Sequence, residues 1–211
     1  MLKKDELKVL KVLFADLTSD LTIMDLAKVL GQNYFQTHTT IKNLVKSGIV
    51  KIKKVGKSSV VKLDFSRFNY DYVLAEIERS NDLCKKNKSV SIVRDDIKNI
   101  NKNFICILFG SQVEKPRQDS DIDLLFLIPK DYNYGSFEKI AHNALISSGK
   151  VDINIAFDES LHEMLSHPEK FNIGNELLKK HIVLYGAEHF LNLLRKHYVG
   201  WKKHTTKQQY S

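Results

Sequence analysis

Residues 104–128, FICILFGSQVEKPRQDSDIDLLFLI, set two apolar, β-rich runs on either side of a polar segment. Each run is far shorter than the roughly 20 residues needed to cross a bilayer, and both are too apolar for a surface. A chain that carries them must bury two strands, with the polar segment at one end of the sheet. Gly110-Ser111 closes the first strand, and Asp121 and Asp123 open the second. Period-two alternation puts these two carboxylates on one face and Ile122 and Leu124 on the other. A third run, Val151–Phe157, carries Asp152 and Asn154 on one face and Ile153 and Ile155 on the other.

These residue types suit phosphate chemistry. A glycine at a strand end lets the backbone approach a phosphate closely. The Ser111 hydroxyl can donate to the same group, and Lys115 and Arg117 add cations nearby. Carboxylates brought together repel unless a cation sits between them. Hard oxygen ligands favour Mg²⁺ or Mn²⁺. If the third strand joins the first two, Asp121, Asp123 and Asp152 form a triad able to hold two such ions.

Gly110-Ser111, a spacer of nine residues, Asp121-Ile122-Asp123 and a third acid on a later strand together resemble the nucleotidyltransferase superfamily that includes DNA polymerase beta. The strings Ser120-Asp-Ile-Asp-Leu-Leu and Ile182-Val-Leu-Tyr-Gly186 are similar to its minimal members, and the resemblance covers about residues 90–188. It departs from them after Gly-Ser: minimal members commonly carry Ala-Arg-Gly there, whereas this chain has Gln112-Val-Glu-Lys-Pro. The resemblance implies transfer of a nucleoside monophosphate, AMP above all, from a nucleoside triphosphate to an acceptor hydroxyl. It makes Asp121, Asp123 and Asp152 the catalytic and metal-holding residues and Gly110 and Ser111 the nucleotide-binding ones; in the loop that departs from the family pattern, Lys115 and Arg117 are the candidate nucleotide contacts. Minimal members often work beside a helical partner in toxin–antitoxin systems, which points to a protein acceptor. A nucleotidyltransferase acting on nucleic acid, or a regulator that senses nucleotide without turnover, are the alternatives.

The front of the chain reads differently. Asp5–Phe14 has a helical apolar pattern. Thr22 with Asp25 caps a second helix, Ile23–Leu30, which Gly31 stops. A third runs from Tyr34 or Phe35 to Ser47, with Phe35, Thr37 or His38, Ile41, Leu44 and Val45 inward. Ile49–Ile52 and Ser59–Leu63 read as a hairpin. Three short helices and a hairpin over residues 5–64 resemble a winged helix-turn-helix. That resemblance implies duplex DNA as a partner and favours a homodimer on two-fold operators. The third helix then offers Gln36, Thr39, Thr40, Asn43 and Lys46 to the groove, and the wing offers Lys53, Lys54 and Lys57 to phosphates. Winged helices also serve protein contact, which is the competing expectation.

The formal net charge of +8 is uneven. Residues 1–67 hold 13 Lys/Arg against 6 Asp/Glu, residues 68–194 hold 15 against 19, and residues 195–211 hold 5 against none. A basic front module, an acidic middle module and a basic tail follow, and excess cation suits phosphate backbones. The expected organisation is a winged helix domain over 1–66, a helical connector over 67–89, a nucleotidyltransferase domain over 90–188, and a C-terminal helix and basic tail over 189–211. The fold class is α+β, with a mixed sheet flanked by helices. Phe171–Leu184 reads as a flanking helix, and Tyr134–Ile146 as another with Ile140 among its inward residues. Residues 203–211 read as a frayed tail, with Trp201 and Tyr210 available for contacts. Two cysteines exclude a disulfide scaffold: Cys106 reads as buried, Cys84 as a surface thiol. No apolar leader opens the chain, so a cytoplasmic protein with no membrane contact is expected.

Overall fold

The computed structural model describes residues 2–113, 120–167, 169–170 and 172–208, with side chains as far as Gly200 apart from that of residue 172. Lys115 and Arg117 lie outside the described residues, as do Tyr210 and the side chains of Trp201, Lys202, Lys203 and Lys207. Among the described residues no helix is long and apolar enough to cross a membrane.

Three helices open the chain: α1 (Lys4–Ala15), α2 (Ile23–Leu30) and α3 (Tyr34–Lys46). The Thr22 hydroxyl accepts from the Asp25 N–H while the Asp25 carboxylate accepts from the Thr22 N–H, a reciprocal cap on α2. Gly31 ends α2 at a φ of +62°, and the Asn33 side chain caps α3. Strands β1 (Val50–Val55) and β2 (Ser58–Leu63) pair antiparallel around Gly56-Lys57.

Helices α4 (Tyr70–Lys86) and α5 (Lys88–Lys98) come next and share Asn87 as their joint. The rest of the chain builds a four-stranded mixed sheet in the order β5-β4-β3-β6. Its strands are β3 (Ile105–Phe109), β4 (Ile122–Ile128), β5 (Val151–Phe157) and β6 (His181–Tyr185). β4 and β5 are parallel; the other two pairings are antiparallel. Helices α6 (Tyr134–Leu145), α7 (Leu161–Ser166), α8 (Asn172–Lys179) and α9 (Ala187–Gln208) complete the chain.

Alternation along the strands splits the core in two. Cys106, Leu108, Leu124, Phe126, Ile182 and Leu184 pack with Val93 and Ile97 of α5 and Phe137 and Ala141 of α6. Ile105, Ile107, Leu125, Leu127 and Val183 face the other way, toward Leu161, Leu177 and Leu191. That second layer is continuous with the front module, because Leu10, Phe14, Leu44 and Val61 belong to the same buried cluster. Tyr72 of α4 helps tie them: its ring packs against Phe14 and Phe65, and its hydroxyl donates to the Ile49 carbonyl and accepts from the Asp64 N–H. Phe65 stacks on Tyr198 with ring centres 4.8 Å apart, and the Leu17 N–H donates to the Leu178 carbonyl at 2.8 Å.

Several sequence expectations are corrected. The apolar stretch after α8 is strand β6 and not more helix; its registry with Ile107 and Leu108 gives it both a β partner and burial on two faces. Cys84 is buried against the α5 layer, Ile140 is exposed, and α9 continues as helix to Gln208. On α3 the inward face is Thr37, Thr40, Ile41 and Leu44, while Phe35 is 80% exposed and Val45 also faces out.

The outer edge of β6 is met by α4. Arg79 donates to the His181 carbonyl at 2.6 Å and pairs with Glu76, which is wholly buried. Burial pushes the Glu76 carboxyl up in pKa, and Arg79 opposes that rise. Burial and the Arg79 charge hold His181 neutral, well below the usual imidazole range. A buried charge left alone is costly. Arg79→Ala is therefore expected to destabilise the protein by about 3–5 kcal/mol, measured by urea unfolding; a loss under about 1 kcal/mol contradicts this account of the β6 edge.

Candidate active site

The acidic corner lies where β3 ends and β4 and β5 begin. Antiparallel registry sets Asp123 against Phe109, the last residue of β3. Parallel registry sets it opposite Asp152 on β5, on strands about 4.8 Å apart. Asp121 stands just ahead of β4 and is exposed, as is Asp152, whereas Asp123 is half-buried. The Asn154 amide donates to Asp152 at 3.1 Å. Burial raises the pKa of Asp123, and the charges of Asp152, Asp121 and Glu176 raise it further. Among the described residues no three His, Cys, Asp or Glu side chains stand ready-made as a metal cage.

Gly110 is built into this corner. Its φ is +74°, and a Cβ placed on it would lie 2.3 Å from Asp123 Oδ2. Only glycine supplies both that backbone angle and that space. The chain then makes a single 3₁₀ turn, Gly110–Val113, leaving Ser111 exposed beside it. Gln112 turns inward instead. Its amide donates to the Ser120 carbonyl at 2.9 Å and to the Ser120 hydroxyl at 2.7 Å, and its carbonyl accepts from Asn87 at 3.0 Å. Asn87 also caps α5 through the Val90 N–H. A buried run of side-chain amides therefore braces both ends of the polar segment against the α4–α5 joint.

Sequence reasoning missed Glu176 and Gln112. Glu176 sits on α8 with no motif around it, and only the packing of α8 under the sheet brings its charge to Asp123. Gln112 occupies the position where the chain departs from Ala-Arg-Gly, and nothing in its spacing signals a buried brace.

The candidate nucleic-acid residues divide. Lys53, Lys54 and Lys57 are exposed around the hairpin turn, and Thr39 and Lys46 are exposed on α3. Asn43 is partly buried. Gln36 is exposed, but its amide is bonded to Asp5 of α1 at 3.2 Å. Thr40 does not offer itself to a groove: it is 8% exposed and its hydroxyl donates back to the Gln36 carbonyl. Threonine hydroxyls inside helices often bond the carbonyl four residues earlier, and here that bond lies on the core side. Phe35 and Tyr34 stand out where those short polar groups were expected.

No protein-family model, no curated protein and no solved structure matches this chain.

Gly110→Ala is expected to push the Asp123 carboxylate aside and strain the turn. The melting temperature should fall by an amount corresponding to about 1–3 kcal/mol, and divalent-ion binding, followed by calorimetry, should weaken. A variant that melts and binds like the parent would mean that the glycine is dispensable.

Proposed function

We propose that this chain is a divalent-metal-dependent nucleotidyltransferase that moves a nucleoside monophosphate, AMP first among them, from a nucleoside triphosphate to an acceptor hydroxyl, with a DNA-binding winged helix at its front. The supporting observation is the registry of Asp123 with Asp152 beside Gly110. In this reading the Gly110-Ser111 turn seats the β and γ phosphates, with the Ser111 hydroxyl donating. Asp121, Asp123 and Asp152 are all-oxygen donors whose mutual repulsion a cation relieves, so they fit Mg²⁺ or Mn²⁺. Such ions, when bound, neutralise phosphate charge and lower the pKa of a nucleophilic hydroxyl. Asp152, exposed at the edge strand, takes the proton from the acceptor hydroxyl. That oxygen bonds to the α-phosphorus as the bond to the β-phosphate oxygen breaks, and pyrophosphate departs. Gln112 and Asn87 hold the ends of the connecting segment in place throughout.

Incubation with labelled ATP, GTP, CTP and UTP, Mg²⁺ and a lysate tests this. Label on a protein supports a protein acceptor, label on RNA or DNA a nucleic-acid acceptor, and binding without transfer a nucleotide-sensing regulator. The double variant Asp121→Asn, Asp123→Asn is expected to lose about three orders of magnitude in transfer. Undiminished transfer rejects the assignment.

DNA binding by the front module rests on the exposed lysines at the Gly56 turn, to which Thr39 and Lys46 add on α3. Replacing Lys53, Lys54 and Lys57 together by Glu should weaken duplex binding across all sequences. The slope of log affinity against log salt should fall in magnitude by about 2–3. An unaltered slope places the contact elsewhere.

A further inference from the structure

At the far end of the sheet from the acids, a cavity of about 860 Å³ opens between α4, α5, β6 and the start of α9. The separation follows from registry. His181, at the start of β6, pairs with Phe109, while Tyr185 pairs with Cys106 at the other end, roughly 13 Å further along the strand. The cavity's size is that of a small-molecule site.

Its wall holds an arginine of an unusual kind. Arg94 is partly buried, and one amino group of its guanidinium donates to Asn81 Oδ1 at 2.8 Å, with Ser80 Oγ at 3.5 Å. Both partners are neutral. Among the described residues no carboxylate forms an ion pair with it, and its Nε is buried without a partner. Contrast Arg79, whose charge meets Glu76. The charge of Arg94 reaches Asp95, whose carboxylate is bonded to Lys98 at 2.8 Å, but among the described residues no carboxylate touches the guanidinium; a fork oriented by amide and hydroxyl groups is prepared for an external anion, and its plane matches phosphate or carboxylate. Lys98 lies on the same wall; the one carboxylate in the lining is Glu188.

The remaining wall is apolar and partly aromatic. Tyr185 stacks on Phe104 with ring centres 4.6 Å apart, yet stays 36% exposed at the cavity surface. Ile77, on α4, is 45% exposed there. A fixed cation, a supported aromatic platform and neighbouring amides form a combination that suits a planar heterocycle carrying phosphate.

We propose that this cavity is a second ligand site, separate from the acidic corner, which takes a nucleotide with its phosphate on Arg94 and its base against Tyr185. The inference does not depend on catalysis at the acids. Calorimetry on the full chain in a metal chelator, with AMP, adenosine and ribose 5-phosphate as probes, tests it. AMP should bind at least ten-fold more tightly than either fragment. Arg94→Met should weaken AMP by about 10- to 100-fold, and Arg94→Lys by less, because the charge remains while the fork is lost. Ile77→Glu, at an exposed position of α4, should weaken AMP similarly, and it decides the matter if Arg94→Met does not fold. Asp121→Asn with Asp123→Asn should bind AMP as the parent does. Absence of AMP binding at millimolar concentration, equal binding of adenosine, full binding by Ile77→Glu, or loss only in the double aspartate variant would each overturn the proposal.

Discussion

The registry of β4 with its neighbours is the constraint on which the rest of this structure depends. Leu125 and Leu127 enter one hydrophobic layer and Leu124 and Phe126 the other, so sliding the strand by one residue would exchange every side chain between faces. Asp123 would then point into the layer formed by Ile97 and Phe137, where no partner awaits a carboxylate. The apolar pattern thus fixes where the acids go. They stand at the strand starts, beyond the last residues able to bury, and β3 ends there in a glycine because Asp123 occupies the space of its side chain. Mutual repulsion among the carboxylates is tolerated because the apolar remainder of each strand holds the corner together; burial first, and that repulsion after it, raises the pKa of Asp123.

That physical logic also explains which parts of the structure were readable from sequence. β3, β4 and β5 announce themselves by apolar runs broken at Gly110, Asp121 and Gly149, and their period fixes the acids' face without coordinates. β6 does not, because His181–Tyr185 follows an amphipathic helix without a strong break and its apolar run is too short for periodicity to separate strand from helix. α3 misled for a related reason. Phe35 and Val45 look like core by hydrophobicity, yet the helix phase that buries Ile41 and Leu44 turns Thr37 and Thr40 inward and leaves those two outside. Glu176 reaches the corner, and Asn87 reaches Gln112, through tertiary packing alone, and no local pattern records that.

The absence of a Gly/Pro-rich linker predicts that helix, and not a floppy tether, couples the front module to the rest of the chain. α4 crosses the edge of β6 with Tyr72 and Ala75 in one hydrophobic layer and Leu83 and Cys84 in the other. Its Glu76–Arg79 pair meets the strand edge at the crossing. Such an edge is a template for unwanted pairing unless covered, and covering it with a charged pair gives α4 one defined position. The helix is therefore a wedge fixed on both sides, with little of the freedom of a linker.

Three sites therefore share this one helix. Ser80 and Asn81 orient Arg94 from the middle of this helix, Tyr72 grips the front module from its first turn, and Asn87 at its end holds Gln112 beside the acids. A ligand paired with Arg94 would give this guanidinium a contacting anion where α5 meets Ser80 and Asn81 of α4.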